Sequence, residues 1–179
     1  YPAKAHREAF DRVLRNNVNV TVHAGEAFGP KSIRQALHYC GAHRIGHGTR
    51  LGEDRATLDY VNDHRIPLEM CLTSNVQTRA VPSLTKHPFR EYLELGVRVT
   101  LNTDNRLVSS TTMTDELTRA VETFRLSPAD VRQILMNGFK SAFVPYREKG
   151  DLLRGAIAGI DDVLKRARIQ EVESERDLL

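Results

Sequence analysis

Apolar residues along this chain follow two rhythms, and the rhythms alternate. Short β-branched or aliphatic runs at about residues 17 to 23, 43 to 47, 66 to 72 and 96 to 103 lie between turn residues and predict strands. The intervals carry apolar positions at helical spacing. Ala5, Ala9, Phe10, Val13 and Leu14 mark one face of a helix over Lys4 to Asn16. Ser32 is placed to cap a second helix carrying Ile33, Ala36, Leu37 and Tyr39, with Gly41 just past its end. Asp54 caps a third with Leu58 and Val61, and Pro88 to Leu95 reads as a short helix stopped by Gly96. From Thr112 onward the pattern is helical. There Ser127-Pro128-Ala129-Asp130 combines a capping serine, a proline at the first helical position and an acid in the first turn. The charged final stretch, Asp161 to Glu175, is expected to end on the surface.

Strands alternating with helices at this period describe βα units feeding a parallel sheet, an α/β fold. With 179 residues, 40% of them hydrophobic, and no linker or composition shift, one domain over residues 1–179 is expected. No run of about 18 apolar residues is present, which excludes a transmembrane helix and leaves a soluble globular class. The N-terminus has no secretory apolar region, and its first residue is Tyr1 rather than Met, which points to a truncated chain. Cys40 and Cys71 fit neither a CxxC pair nor a disulfide framework, so a reducing, cytoplasmic setting is expected with both thiols packed as small hydrophobes. The formal charge is +3, but the 26 basic residues are scattered among 23 acidic ones without a cluster, which argues against nucleic acid or a membrane as partner.

Chemistry gathers where the strands stop. His23-Ala24-Gly25-Glu26 closes the first, Gly46-His47-Gly48 the second, Thr73-Ser74-Asn75 the third and Thr103-Asp104-Asn105 the fourth. In parallel barrels the C-terminal strand ends face one mouth, and catalytic groups from different strands meet there. Imidazole, carboxylate and amide are the reactive types on offer, with no Gly-x-Ser-x-Gly elbow and no glycine-rich phosphate loop. Metal-assisted hydrolysis fits that inventory, since zinc accepts imidazole nitrogen and carboxylate oxygen and acidifies a bound water to a pKa of about 7. The HxE and PCxxC pattern of cytidine deaminases is absent. Each residue alone has a plainer role: a hydrogen-bonded histidine at a strand end, an acid at a helix entry, glycines in a tight turn, an Asp-Asn turn pair.

Taken together, Val22-His23-Ala24-Gly25-Glu26, Arg44-Ile45-Gly46-His47-Gly48, Cys71-Leu72-Thr73-Ser74-Asn75 and Leu101-Asn102-Thr103-Asp104 resemble the adenosine deaminase family, particularly its bacterial forms, over about residues 1 to 145. Adenine and AMP deaminases share parts of the pattern. The resemblance implies a zinc-dependent (β/α)₈ barrel of which this chain carries strands five to eight with their helices, followed by C-terminal helices. It implies hydrolytic deamination of adenosine or deoxyadenosine by a zinc-activated hydroxide, with a purine nucleoside as small-molecule partner. On the matched positions, His23 and Asp104 would be Zn²⁺ ligands, Glu26 would protonate purine N1 and assist departure of ammonia, and His47 would orient the hydroxide. Asn105 stands where many members have a second Asp; its amide would donate to purine N7 without needing a raised pKa. Gly25 would let substrate approach the backbone, or serve only a turn. The family's His-x-His pair of further zinc ligands occurs nowhere in this sequence, so the chain alone is expected to be inactive. A non-catalytic partial-barrel module is the alternative, because an open four-strand sheet leaves two edges.

Overall fold

The computed structural model describes residues 3–176, with side chains described through residue 167. Four strands, β1 (Thr21–Ala24), β2 (Arg44–His47), β3 (Leu68–Met70) and β4 (Val99–Leu101), form one parallel sheet in the order β1-β2-β3-β4. The register sets His23 opposite Gly46, Gly46 opposite Glu69, and Glu69 opposite Thr100. β2, β3 and β4 lie inside the expected runs and β1 extends one residue past its run to Ala24; all four are shorter than expected, since each run also includes turn residues beside the ladder.

Helix α1 (Arg7–Arg15) precedes β1; α2 (Pro30–Cys40), α3 (Arg55–Asp63), α4 (Leu72–Gln77) and α5 (Phe89–Glu94) lie between the strands; α6 (Arg106–Ser109) and α7 (Met113–Phe124) follow β4. One face of the sheet is apolar: Val22, Ala24, Ile45, Leu68 and Met70 are buried together with Ile33, Leu37, Leu58, Val61 and Leu93 of the helices. On β1 the alternation is complete, with Val22 and Ala24 buried and Thr21 and His23 exposed on the opposite face. That second face is polar. Thr21 Oγ1 donates to Glu69 Oε2 at 2.5 Å, and Arg44 Nε pairs with Glu69 Oε1 at 2.9 Å, tying three strands together.

Local chemistry explains most helix boundaries. Asp54 caps α3 by accepting from Thr57 N, and Gly41 ends α2 in the left-handed conformation that glycine adopts without a Cβ clash. The expected cap at Ser32 is corrected. Helix α2 starts three residues earlier, with Gly29 at the N-cap and Pro30 at the first position, and the Ser32 hydroxyl instead accepts from Gly25 N at 2.8 Å. Thr73-Ser74-Asn75 is likewise not a strand end: these residues lie within α4.

Backbone contacts divide the chain into two compact units, Tyr1–Leu126 and Ser127–Leu179, where the sequence led to one domain over 1–179. No linker marks the boundary, because Ser127 is itself the N-cap of α8 (Pro128–Ser141), as the sequence suggests, and it forms a capping box with Asp130. The second unit pairs α8 with α9 (Tyr146–Arg176), joined by an Arg132–Asp161 ion pair at 3.0 Å. Residues 161–167 of the charged stretch are half-buried or exposed; the side chains of 168–175 lie outside those described. Among the described residues, no helix is long and apolar enough to cross a membrane.

Candidate active site

At the C-terminal ends of β1 and β2 the chain brings His23, Glu26 and His47 together, with one donor atom of each lying within 4.8 Å of the others. His23 Nε2 stands 3.5 Å from Glu26 Oε2, and His47 Nδ1 stands 3.7 Å from Glu26 Oε1. The two imidazoles meet edge to face with centroids 4.5 Å apart. Strict pleat alternation would place His47 on the apolar face beside Ile45. Instead its φ of +67° breaks the pleat at the last strand residue, and its ring meets that of His23. Asp104 also has a positive φ, +54°.

Exposure separates the roles. The side chain of His23 is 64% exposed, whereas those of Glu26 and His47 are 10% and 7% exposed. Glu26 is held through one oxygen: Oε1 accepts from Asn75 Nδ2 at 2.8 Å and from Thr78 Oγ1 at 2.9 Å, leaving Oε2 toward His23. Burial is the main cause that pushes the His47 pKa below the ordinary histidine value, against the pull of the Glu26 carboxylate.

Asp104 lies outside the tight cluster. It lines an open cleft of about 360 Å³ with Gly46, His47, Glu69, Asn102 and Met113, and its Oδ2 accepts from Ser74 Oγ at 2.6 Å. Asn105 is the N-cap of α6, where its Oδ1 accepts from Leu107 N and Val108 N at 3.1 and 3.0 Å. Those two backbone donors fix the amide orientation and leave the Nδ2 hydrogens as the group that can serve a ligand. Gly25 has φ +73°, and a Cβ there would meet Ile33 Cδ1 at 2.5 Å. Its N–H is taken by Ser32, and its carbonyl accepts from Thr49 Oγ1 and Arg50 N. The turn and the packing of Ile33 therefore account for glycine at this position.

Asn75, Thr78, His87 and Glu69 belong to the site and were not assigned roles from sequence. Asn75 is fully buried and joins Glu26 to His47, and His87 backs it with an Nε2 to Oδ1 distance of 3.1 Å. The contacts from Asn75 to Glu26, His47 and His87 span 12 to 49 positions along the chain, and no local pattern reports them. A buried Asn in the first turns of a short helix is the nearest thing to a signal, since the residue disfavours helix interiors unless its amide is engaged. Cys71 is packed beneath this network. Burial pushes its thiol up to about 12, as expected of a packing residue rather than a nucleophile.

A family model described as adenosine deaminase matches residues 2–158. The chain belongs to the adenosine deaminase family. An adenosine deaminase from Mycobacteroides abscessus is 45% identical over 176 residues, which cover 92% of this chain and 47% of that protein. The chain thus spans about half the length of the curated relatives it matches. Among solved structures, an adenine deaminase from Arthrobacter aurescens superposes with a TM-score of 0.85 at 27% identity, over 89% of this chain and 49% of that one. A Burkholderia ambifaria amidohydrolase with bound Zn shares the fold at the same TM-score of 0.85 and 19% identity, over 92% and 46% of the two chains.

Proposed function

We propose that this chain supplies strands five to eight of a (β/α)₈ deaminase barrel, and with them the acid–base groups that convert adenosine or deoxyadenosine to the inosine nucleoside and ammonia. The observation that carries this reading is the Glu26 carboxylate, fixed through Oε1 by Asn75 and Thr78 and presenting Oε2 beside His23. A carboxyl held this way delivers a proton to purine N1, which makes C6 electrophilic as water oxygen adds there. The two protons lost by that water pass to the carboxylate in turn: one is handed to the amine, which leaves as ammonia, and the other restores the acid. Adenosine plus water gives inosine plus ammonia, and Glu26 returns to its starting state.

The donor set fits a zinc ion in part. His23 offers an exposed imidazole whose Nε2 faces Glu26, and Asp104 offers a carboxylate at the neighbouring cleft. His47 fits less well, because its Nδ1 faces the Asn75 amide. His23 and Asp104 would therefore hold the metal, together with groups not on this chain. Zinc, when bound, supplies a water that ionises near neutral pH. His47 faces the cleft as a hydrogen-bonding group for the reacting oxygen, and Asn105 Nδ2 donates to purine N7.

The test joins this chain to the part of the M. abscessus relative that it does not match, loads the product with zinc, and measures inosine and ammonia. Glu26→Gln is expected to lower turnover by about 10²- to 10⁴-fold. Turnover at the unsubstituted level in that variant would refute the assigned proton transfer. The likeness to an adenine deaminase favours a second reading, in which the substrate is free adenine or another 6-aminopurine such as AMP; turnover of adenosine, adenine, deoxyadenosine and AMP by the same protein separates them. A chain that binds zinc and turns over none of the four would favour the non-catalytic module.

A further inference from the structure

The side chain of Asn75 has two donor hydrogens and two acceptor lone pairs, and all four are engaged. Nδ2 lies 2.8 Å from Glu26 Oε1 and 3.0 Å from His47 Nδ1, while Oδ1 lies 3.4 Å from Cys71 N and 3.1 Å from His87 Nε2. Two of these partners admit one role each. The Cys71 backbone N–H can only donate, so Oδ1 must face it; the Glu26 carboxylate accepts, so Nδ2 must face that. The amide orientation is therefore set by its surroundings. A second line of constraint runs through His87, whose Nδ1 accepts from Phe89 N at 3.1 Å. A neutral imidazole that accepts at Nδ1 carries its hydrogen on Nε2, and His87 Nε2 meets an oxygen on Asn75. Both lines agree.

The consequence falls on His47. Its Nδ1 faces a donor hydrogen of Asn75, so that nitrogen must be the acceptor and the hydrogen must sit on Nε2. Glu26 does not compete for this nitrogen, because the 3.7 Å separation exceeds a hydrogen bond. We propose that Asn75, oriented by Cys71 and His87, is a positioning residue that locks His47 in the Nε2–H tautomer and holds Glu26 at a fixed distance from it. With Nδ1 occupied, the nitrogen left to His47 for a reacting group is an N–H donor. It then stabilises negative charge growing on an oxygen rather than abstracting a proton from it. This deepens the deaminase reading and rests on that reading only for its effect on turnover; the tautomer is a property of this chain.

The experiment is a long-range ¹H–¹⁵N spectrum of the histidine-labelled 179-residue chain, taken without metal at a pH where the imidazoles are neutral. His47 is assigned by loss of its signals in His47→Gln. The expected result is Nε2–H for both His47 and His87; an Nδ1–H His47 overturns the proposal with no substitution needed. In Asn75→Asp the new carboxylate accepts at both oxygens, so His47 is expected to switch to Nδ1–H while His87 keeps its Nε2–H. Lowered melting temperature with the His47 tautomer unchanged would show Asn75 to be structural only and would equally overturn the proposal. If the Asp variant does not fold, the spectrum of the unsubstituted chain still decides. Failure of the joined barrel to deaminate any purine would defeat the functional reading and leave the tautomer result standing.

Discussion

His87 makes the stability of this fold acid-sensitive in a way that one substitution should remove. The ring is 4% exposed, and burial together with the neighbouring His47 lowers its pKa from 6.5 to about 4. In the unfolded chain the ring titrates near its ordinary value, so between the two values the unfolded state binds more protons. Stability therefore rises with pH across this window: the contribution is fully present above pH 6.5 and is lost as pH falls toward about 4. A gap of about 2.5 on the pH scale corresponds to about 3 kcal/mol. The cause is structural. Protonation would put a second hydrogen on Nδ1, where the Phe89 N–H already points, on a ring buried away from solvent. His87→Gln keeps an amide donor and a carbonyl acceptor but does not titrate. Because the chain has no Trp, urea unfolding is best followed by circular dichroism, from pH 4 to 7, in both proteins. The stability difference between them should shift by about 3 kcal/mol in favour of the variant on going from pH 7 to pH 4. Carboxylates titrate in the same range but are common to both proteins and cancel. A difference constant across that range would refute the reasoning.

Tyr92 is buried, its hydroxyl accepts from Gly52 N at 2.7 Å and donates to Thr49 O at 2.9 Å, and burial raises its pKa to about 12. Tyr92→Phe leaves both backbone groups without that partner and should cost about 1–3 kcal/mol in urea unfolding. Glu116 is fully buried and accepts from Thr73 N, the Thr73 and Thr111 hydroxyls and Arg119, so Glu116→Ala should lower stability by about 3 kcal/mol and lower the melting temperature of the first unit. With its thiol at about 12, Cys71 should resist iodoacetamide at neutral pH in the folded chain and react once urea unfolds it, which mass spectrometry reads directly.

Features that depend on neighbours in sequence are the legible ones. Asp54 and Ser127 cap helices through hydrogen bonds three residues away, and a left-handed Gly41 needs only its own missing Cβ. The strand runs are equally plain, because parallel strands shielded by helices read as aliphatic clusters between turn residues. Ser32 misleads for the complementary reason: its hydroxyl is used seven residues back, by Gly25, while Gly29-Pro30 starts the helix with no side-chain cap. Helix α4 has six residues, too few for a period to show. In the site, His23, Glu26, His47 and Asp104 stand out because reactive side chains follow aliphatic runs. The groups that hold them do not, since an amide, a threonine and a second histidine look ordinary until folding brings distant segments together.

Backbone strain ties these two classes of residue together. His47 and Asp104 both take left-handed conformations that glycine would adopt freely, at a cost of about 1–2 kcal/mol each. A chain selected for stability alone would place glycine at such ends, as it does at Gly25 after β1 and at Gly48 beside His47. The non-glycine residues sit where a side chain must leave the regular pleat, toward His23 in one case and into the cleft in the other. Strain of this kind persists only where the surroundings over-determine the geometry, and each strained residue has a hydrogen bond from α4: Asn75 to His47, Ser74 to Asp104. Adjacent residues of one short helix thus anchor the two strand ends from which the site is built. The same helix carries Asn75 to Glu26, so displacing α4 would disturb His47, Asp104 and Glu26 together rather than one at a time.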